Sequence, residues 1–183
     1  MGTKTRATIA DLDRVEGKAE IVGGEVVPMS PTGIDPGYAG DEILVSLRSH
    51  ARRTGRGRAV GDNKAFRVDL PNRDTFSPDA ALYLGPRVGM DYYDGAPAFA
   101  AEVRSKGDYG PAAERAMASK RADYFAAGTL AVWDVDLLGE DVVRVYRADS
   151  PDAPTVYRRG QHAEAEPAVP GWTMPVDDLF DRD

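Results

Sequence analysis

With 183 residues, 42% of them hydrophobic and 29% charged, the chain has the size and composition of one globular domain with a substantial buried core, taken as residues 1–183. It has no cysteine and only two histidines, His50 and His162, which excludes a disulfide framework and a thiolate metal site and argues against a histidine cage or proton shuttle. No apolar run approaches membrane-spanning length and no signal-like segment opens the chain, so a cytoplasmic protein without a membrane partner is expected; the formal charge of -7 speaks against a general nucleic-acid coat.

In chain order, residues 1–18 are polar and read as loose or weakly helical. Glu20 to Met29 reads as a hairpin around Gly23-Gly24, a strong two-residue turn signal. Ser30 to Gly40 is rich in proline and glycine and reads as a connection. Asp41 to Thr54 then forms an amphipathic helix with Ile43, Leu44, Leu47 and Ala51 on one side. His50, in a basic stretch, is placed on its surface. Strands follow near Arg58 to Val60 and Ala65 to Leu70. Gly85 to Gly95, with its glycines and tyrosines, is the expected mobile loop that borders substrate. A helix from Pro111 to Ala127 starts with proline in its first turn and stops at Gly128. Strands are expected at Leu130 to Asp136 and Val142 to Tyr146, and Asp149 to Pro154 reads as a turn cluster. The fold class is α/β (α+β), a mixed sheet flanked by helices.

Two strands each carry a carboxylate. Phe76 to Leu84 admits Pro78 at its start and then runs apolar, which places Asp79 where the strand begins. Pro97 to Ser105 is an unbroken apolar run, as expected of a strand covered on both faces. Glu102 and Arg104 alternate onto one face of it. An acid inside an apolar strand is costly unless it is paired or binds a metal. Mg²⁺ or Mn²⁺ is held by one or two carboxylates plus substrate phosphate, so Asp79 and Glu102 form a plausible cage. The alternative is a structural ion pair of Glu102 with Arg104 or Lys106. Lys120 borders the inward face formed by Ala113, Met117, Tyr124 and Phe125, where it serves either as a site cation or as an ammonium that reaches water.

From Arg48 to Arg67, six arginines and one lysine face only Asp62, an excess of +6 that leaves -13 for the rest. Arg48, Arg52, Arg53, Arg56 and Arg58 are the densest part and read either as a nucleic-acid-binding patch or as charges favoured at a helix C-terminus.

Together, Asp79, the Glu102-Val103-Arg104-Ser105 segment, Lys120 and Tyr124 four apart, Gly128, and Ala131 to Asp136 resemble the bacterial Uma family of candidate restriction endonucleases, within the PD-(D/E)xK nuclease superfamily. Ala19 to Ser30 resembles the family's opening hairpin, and Pro170-Gly171-Trp172 with Val176 to Phe180 its closing segment. The resemblance implies a restriction-endonuclease-like core, a divalent metal held by Asp79 and Glu102 with the Val103 carbonyl, and a nucleic acid, DNA first, as partner, with a homodimer as one assembly. Arg104 stands where the wider superfamily has its lysine. It can stabilise phosphate charge but is a poor proton carrier. In this pattern the lysine moves to the position of Lys120. Lys106 is a second candidate, and Glu20 resembles a recurring hairpin Glu that can join the metal shell.

The implied chemistry is metal-dependent hydrolysis of phosphodiesters. Two other classes stay open: a catalytically silent nuclease fold that binds nucleic acid or a protein through the Arg48 to Arg58 surface, and an acidic interaction protein whose buried acids form ion pairs only.

Overall fold

A computed structural model describes residues 6–87 and 89–181. The expectations for the first five residues and for Val88 lie outside these. A one-turn helix, α1 (Ile9–Leu12), precedes a hairpin of β1 (Ala19–Val22) and β2 (Glu25–Pro28). Its turn is Gly23-Gly24 at φ 60° and 76°. Two consecutive left-handed residues are what a two-residue turn needs to match the twist of its strands.

Helix α2 (Ile34–Thr54) starts seven residues earlier than its sequence suggests. Pro36 falls in the first turn, where its missing N–H costs nothing. Gly40 is buried in packing: a Cβ there would lie 3.5 Å from the Asp79 side chain. Helix α2 thus reaches the carboxylate through the residues that locally argue against a helix. Near its other end His50 is buried, with Arg53 Nη2 3.1 Å from its Nδ1, which corrects its surface assignment.

Then come β3 (Arg58–Gly61), β4 (Phe66–Leu70), β5 (Arg73–Phe76), β6 (Ala80–Tyr83), β7 (Tyr93–Asp94), β8 (Phe99–Val103), α3 (Pro111–Ala126), β9 (Ala131–Val135), β10 (Val143–Arg147) and β11 (Ser150–Tyr157). A two-stranded ribbon of β12 (His162–Glu164) and β13 (Thr173–Pro175) leads to a 3-10 turn at Val176–Leu179. The six-stranded sheet runs β11-β10-β9-β8-β6-β3 and is antiparallel except where β8 meets β9. A parallel pair needs a crossover, and α3 supplies it. A second sheet runs β2-β1-β5-β4-β7.

Phe76 ends β5 instead of opening the Asp79 strand, because Ser77-Pro78 breaks the run. Asp149 is a turn residue as expected, but Ser150 to Pro154 is the start of β11. Pro151 and Pro154 are tolerated there because β11 is an edge strand, where a missing N–H costs no ladder bond. The Gly85 to Gly95 region includes β7, whose Tyr93 stacks on Phe66 at 4.8 Å.

Alternation along β8 and β9 separates two cores. Phe99, Ala101, Val103, Trp133 and Val135 face α2 through Ile43, Leu47 and Ala51. The C-terminal segment covers the same face, with Trp172 stacked on Trp133 at 4.9 Å. Such ring pairs contribute about 1 kcal/mol beyond the area they bury. Ala100 and Val132 face the other way, onto Tyr124 of α3 and Phe76 of β5. By the same alternation Glu102 and Asp134, direct partners across β8 and β9, emerge on the α3 side. No described helix is long and apolar enough to cross a membrane.

Candidate active site

The α3 side holds a cavity of about 470 Å³, with Lys18, Glu20, Asp79, Glu102, Lys120 and Tyr124 among its lining. Period-two alternation along the first strand points Lys18, Glu20 and Val22 into it together. Asp79 is fixed at the start of β6 by its own N–H, which donates to the Ala101 carbonyl at 3.1 Å, and by Val103 N–H, which donates to Asp79 Oδ2 at 2.8 Å. The backbone around Glu102 therefore positions the other carboxylate directly. Lys18, absent from the sequence-based candidates, donates to Asp79 Oδ1 at 2.8 Å and lies 2.6 Å from Asp62.

Lys120 lies 2.9 Å from Glu102 and 2.9 Å from Glu20. Four residues on, one helical turn, Tyr124 OH donates to Glu102 Oε1 at 2.6 Å. The Tyr124 ring is locked by stacking on Phe76 at 4.0 Å, so packing orders the polar end. Glu20 also accepts Arg73 Nη1 at 2.6 Å and Ser77 N–H at 2.8 Å, while Arg73 Nε reaches Asp123 at 2.9 Å.

Charge balance differs among these groups. Burial alone would raise the Glu20 carboxyl, but Lys120 and Arg73 outweigh it and hold it below the usual value. Burial also raises Glu102; there Lys120 pulls downward while Asp79 and Glu20 push upward, and the carboxyl stays above its usual range. For Lys120, burial favours the neutral form, but Glu102 and Glu20 prevail and keep it firmly an ammonium. It suits charge stabilisation far better than proton abstraction.

Arg104 faces the same cavity, yet its guanidinium is committed to both oxygens of Asp134 at 2.7 and 2.8 Å and to Glu114. The alternative pairing of Glu102 with Arg104 or Lys106 does not form: Glu102 takes Lys120 and Tyr124 instead. Lys106 is exposed and outside the cavity lining. Arg48, Arg52, Arg53, Arg56 and Arg58 are exposed, without an ion pair among the described residues, and also outside the lining. Gly40 touches Asp79, and Arg52 lies twelve residues further along α2, about 18 Å at the helical rise. No described residue of Gly85 to Gly95 is among the residues that line the cavity. Trp133 and Tyr124 are fully buried core, while Tyr146 is half-buried beneath the Arg121 guanidinium at 3.9 Å.

The fold is α/β, with a mixed sheet that brings two carboxylates to a lysine-bearing crossover helix. The Uma2 family, described as "Putative restriction endonuclease", matches residues 8–177, and the chain belongs to it. In fold it is similar to the crystal structure of a "putative nuclease belonging to DUF820" from Anabaena variabilis, with a TM-score of 0.73 and 16% identity over 95% of this chain and 97% of that one. No curated protein matches the chain.

Proposed function

We propose that the protein is a metal-dependent endonuclease that hydrolyses phosphodiester bonds, with DNA as the first substrate to test. The observation that carries this reading is the convergence of Asp79, Glu102 and Lys120 on one cavity from β6, β8 and α3. Among the described residues no three acidic or imidazole groups form a ready metal cage. The donor set is instead the Asp79/Glu102 pair, which suits Mg²⁺ or Mn²⁺, ions that keep several waters and take one or two carboxylates plus substrate phosphate. The pair fits chemically in two ways. Each carboxylate retains lone pairs beyond those its present donors use. Glu102, held above its usual range by burial and neighbouring acids, is short of positive charge even with Lys120 attached.

Asp79 and Glu102 would hold the cation, with the Val103 main chain beside them. When bound, it supplies Lewis acidity to the phosphate and lowers the pKa of a water. Lys120 offsets charge developing on the phosphoryl oxygens. Glu20 and Tyr124 act as positioning residues, one anchoring the Lys120 ammonium and the other orienting Glu102. Arg104 fixes the cavity wall through Asp134, and Lys106 is given no role.

Purified protein is expected to cut a DNA substrate with Mg²⁺ or Mn²⁺ and to stop when chelator is added. Lys120→Ala should lower kcat by about 100-fold with a much smaller change in KM, as expected of a group acting mainly in the transition state. Lys106→Ala should behave as wild type. Damage by Lys106→Ala with a silent Lys120→Ala would reverse the lysine assignment, and intact substrates across a panel of DNA and RNA, bound but uncut, would favour a silent binding protein.

The arginine patch is assigned sequence-independent phosphate binding away from the reacting bond. Alanine at Arg48, Arg52, Arg56 and Arg58 should weaken DNA binding and flatten its salt dependence, by about 0.9 in log-log slope for each phosphate no longer neutralised. An unchanged slope would move the binding surface elsewhere.

A further inference from the structure

We infer that the cavity takes one unpaired strand, inserted about one nucleotide deep, in preference to a phosphate on an intact duplex. The inference rests on the nuclease reading and adds the form of the substrate to it. The first ground is depth. Side-chain exposure is 6% for Glu20, 14% for Asp79, 15% for Lys120 and 23% for Glu102, so the reactive groups form a floor. Val27, Met29 and Pro31 line one part of the cavity, and Ala113, Ala116 and Met117 of α3 line another. A volume of about 470 Å³ is in the range that encloses one small organic ligand, comparable to a single nucleotide.

The second ground is chemistry. A charged floor with these apolar residues in its wall, alongside Ser30, Thr32, Ser105 and Asp108, suits a phosphate below and a base or sugar above. A duplex offers the reverse, because its bases are stacked inside and its outer face is phosphate. Duplex binding also needs free cations beside the site, since the double helix carries one negative charge per roughly 1.7 Å of axis. Five cationic residues line the cavity, and Lys18, Arg73, Arg104, Lys120 and Arg121 each already face a carboxylate. Five acids line it too, so the mouth has no positive excess to seat flanking phosphates. The short side chains of Ala113 and Ala116, three apart on α3, leave the room that a base would fill.

The test compares one DNA sequence as a single strand, as a perfect duplex and as a duplex with an unpaired flap, each with Mn²⁺. Unpairing a base costs a few kcal/mol, so the single strand and the flap should be cut with kcat/KM at least about 10-fold above the duplex. Ala116→Trp, which fills the cavity from α3, should lower single-strand kcat/KM by a similar factor while divalent binding and Tm hold. Val27→Trp does the same from the exposed hairpin and guards against a folding defect in the helix variant. Duplex cut as fast as single strand, or tryptophan at both positions without effect, would overturn the inference and leave the nuclease reading standing. No cutting of any of the three DNAs, with Mn²⁺ or with Mg²⁺, would overturn the inference, and RNA left intact as well would remove the nuclease reading too.

Discussion

Glu102→Gln is expected to lower metal-dependent cleavage by on the order of 1000-fold while the protein stays folded. The substitution keeps the shape and removes the charge; one of the two accepting oxygens becomes an NH2 donor, which the Tyr124 hydroxyl can accept while the remaining oxygen takes Lys120. Stability should tolerate this. Burial, Asp79 and Glu20 together hold the Glu102 carboxyl above its ordinary value of 4.5. A folded-state value above the unfolded one stabilises the fold only below about that pH and loses the contribution as pH rises through the raised value. The raised carboxyl means that an ionised Glu102 adds no stability of its own, and Glu102→Gln, which takes one counter-charge from Lys120 but leaves it Glu20, should lie within about 2 kcal/mol of wild type. Cleavage assays and thermal unfolding on the same preparation check both halves. Retained cleavage would remove Glu102 from the chemistry.

The opposite result is expected at Glu20, the other acid bound to Lys120. Glu20→Gln should destabilise the protein by about 3–5 kcal/mol at neutral pH, because it leaves the buried Arg73 and Lys120 cations short of a partner. For a chain of this length that lowers Tm by roughly 10 °C. The pH dependence has a defined sign. Burial alone would raise Glu20, but Lys120, Arg73 and the Ser77 N–H bring it below 4.5. The stabilisation is thus complete above the unfolded value and lost as pH falls through the lower folded one. The Tm gap between wild type and variant should be full at pH 7 and should narrow below about pH 4. A variant as stable as wild type at pH 7 would mean that Glu20 is not the anchor of this network.

The contrast between these two glutamates shows what can be read from a sequence of this kind. Glu102 was legible because a charge interrupts an unbroken apolar strand, and Lys120 because it borders the inward face of an alanine-rich helix. Gly23-Gly24 and Gly128 marked their turns through backbone conformations that other residues rarely adopt. Arg73 carried no local signal, because its partners Glu20 and Asp123 lie 53 and 50 residues away. Lys18 had a signal: it alternates with Glu20 and Val22 on one face of the hairpin strand. The first turns of α2 and the start of β11 were obscured by Pro36, Gly37, Pro151 and Pro154. Each is unfavourable by propensity but sits where the fold tolerates it, in the first turns of a helix or on a sheet edge. The arginine patch was legible as charge, but its separation from the carboxylates along α2 appears only once the helix has its full length.

Asp79 and Glu102 are proposed to form a divalent-metal site together. The most direct test is calorimetric titration of Mg²⁺ and Mn²⁺ into wild type and Asp79→Asn, with circular dichroism to verify that both are folded. Saturable binding by wild type, lost or weakened at least about 10-fold in Asp79→Asn, is the predicted result. Equal binding by the two proteins, or no binding by wild type in the presence of a non-cleavable oligonucleotide, would contradict it.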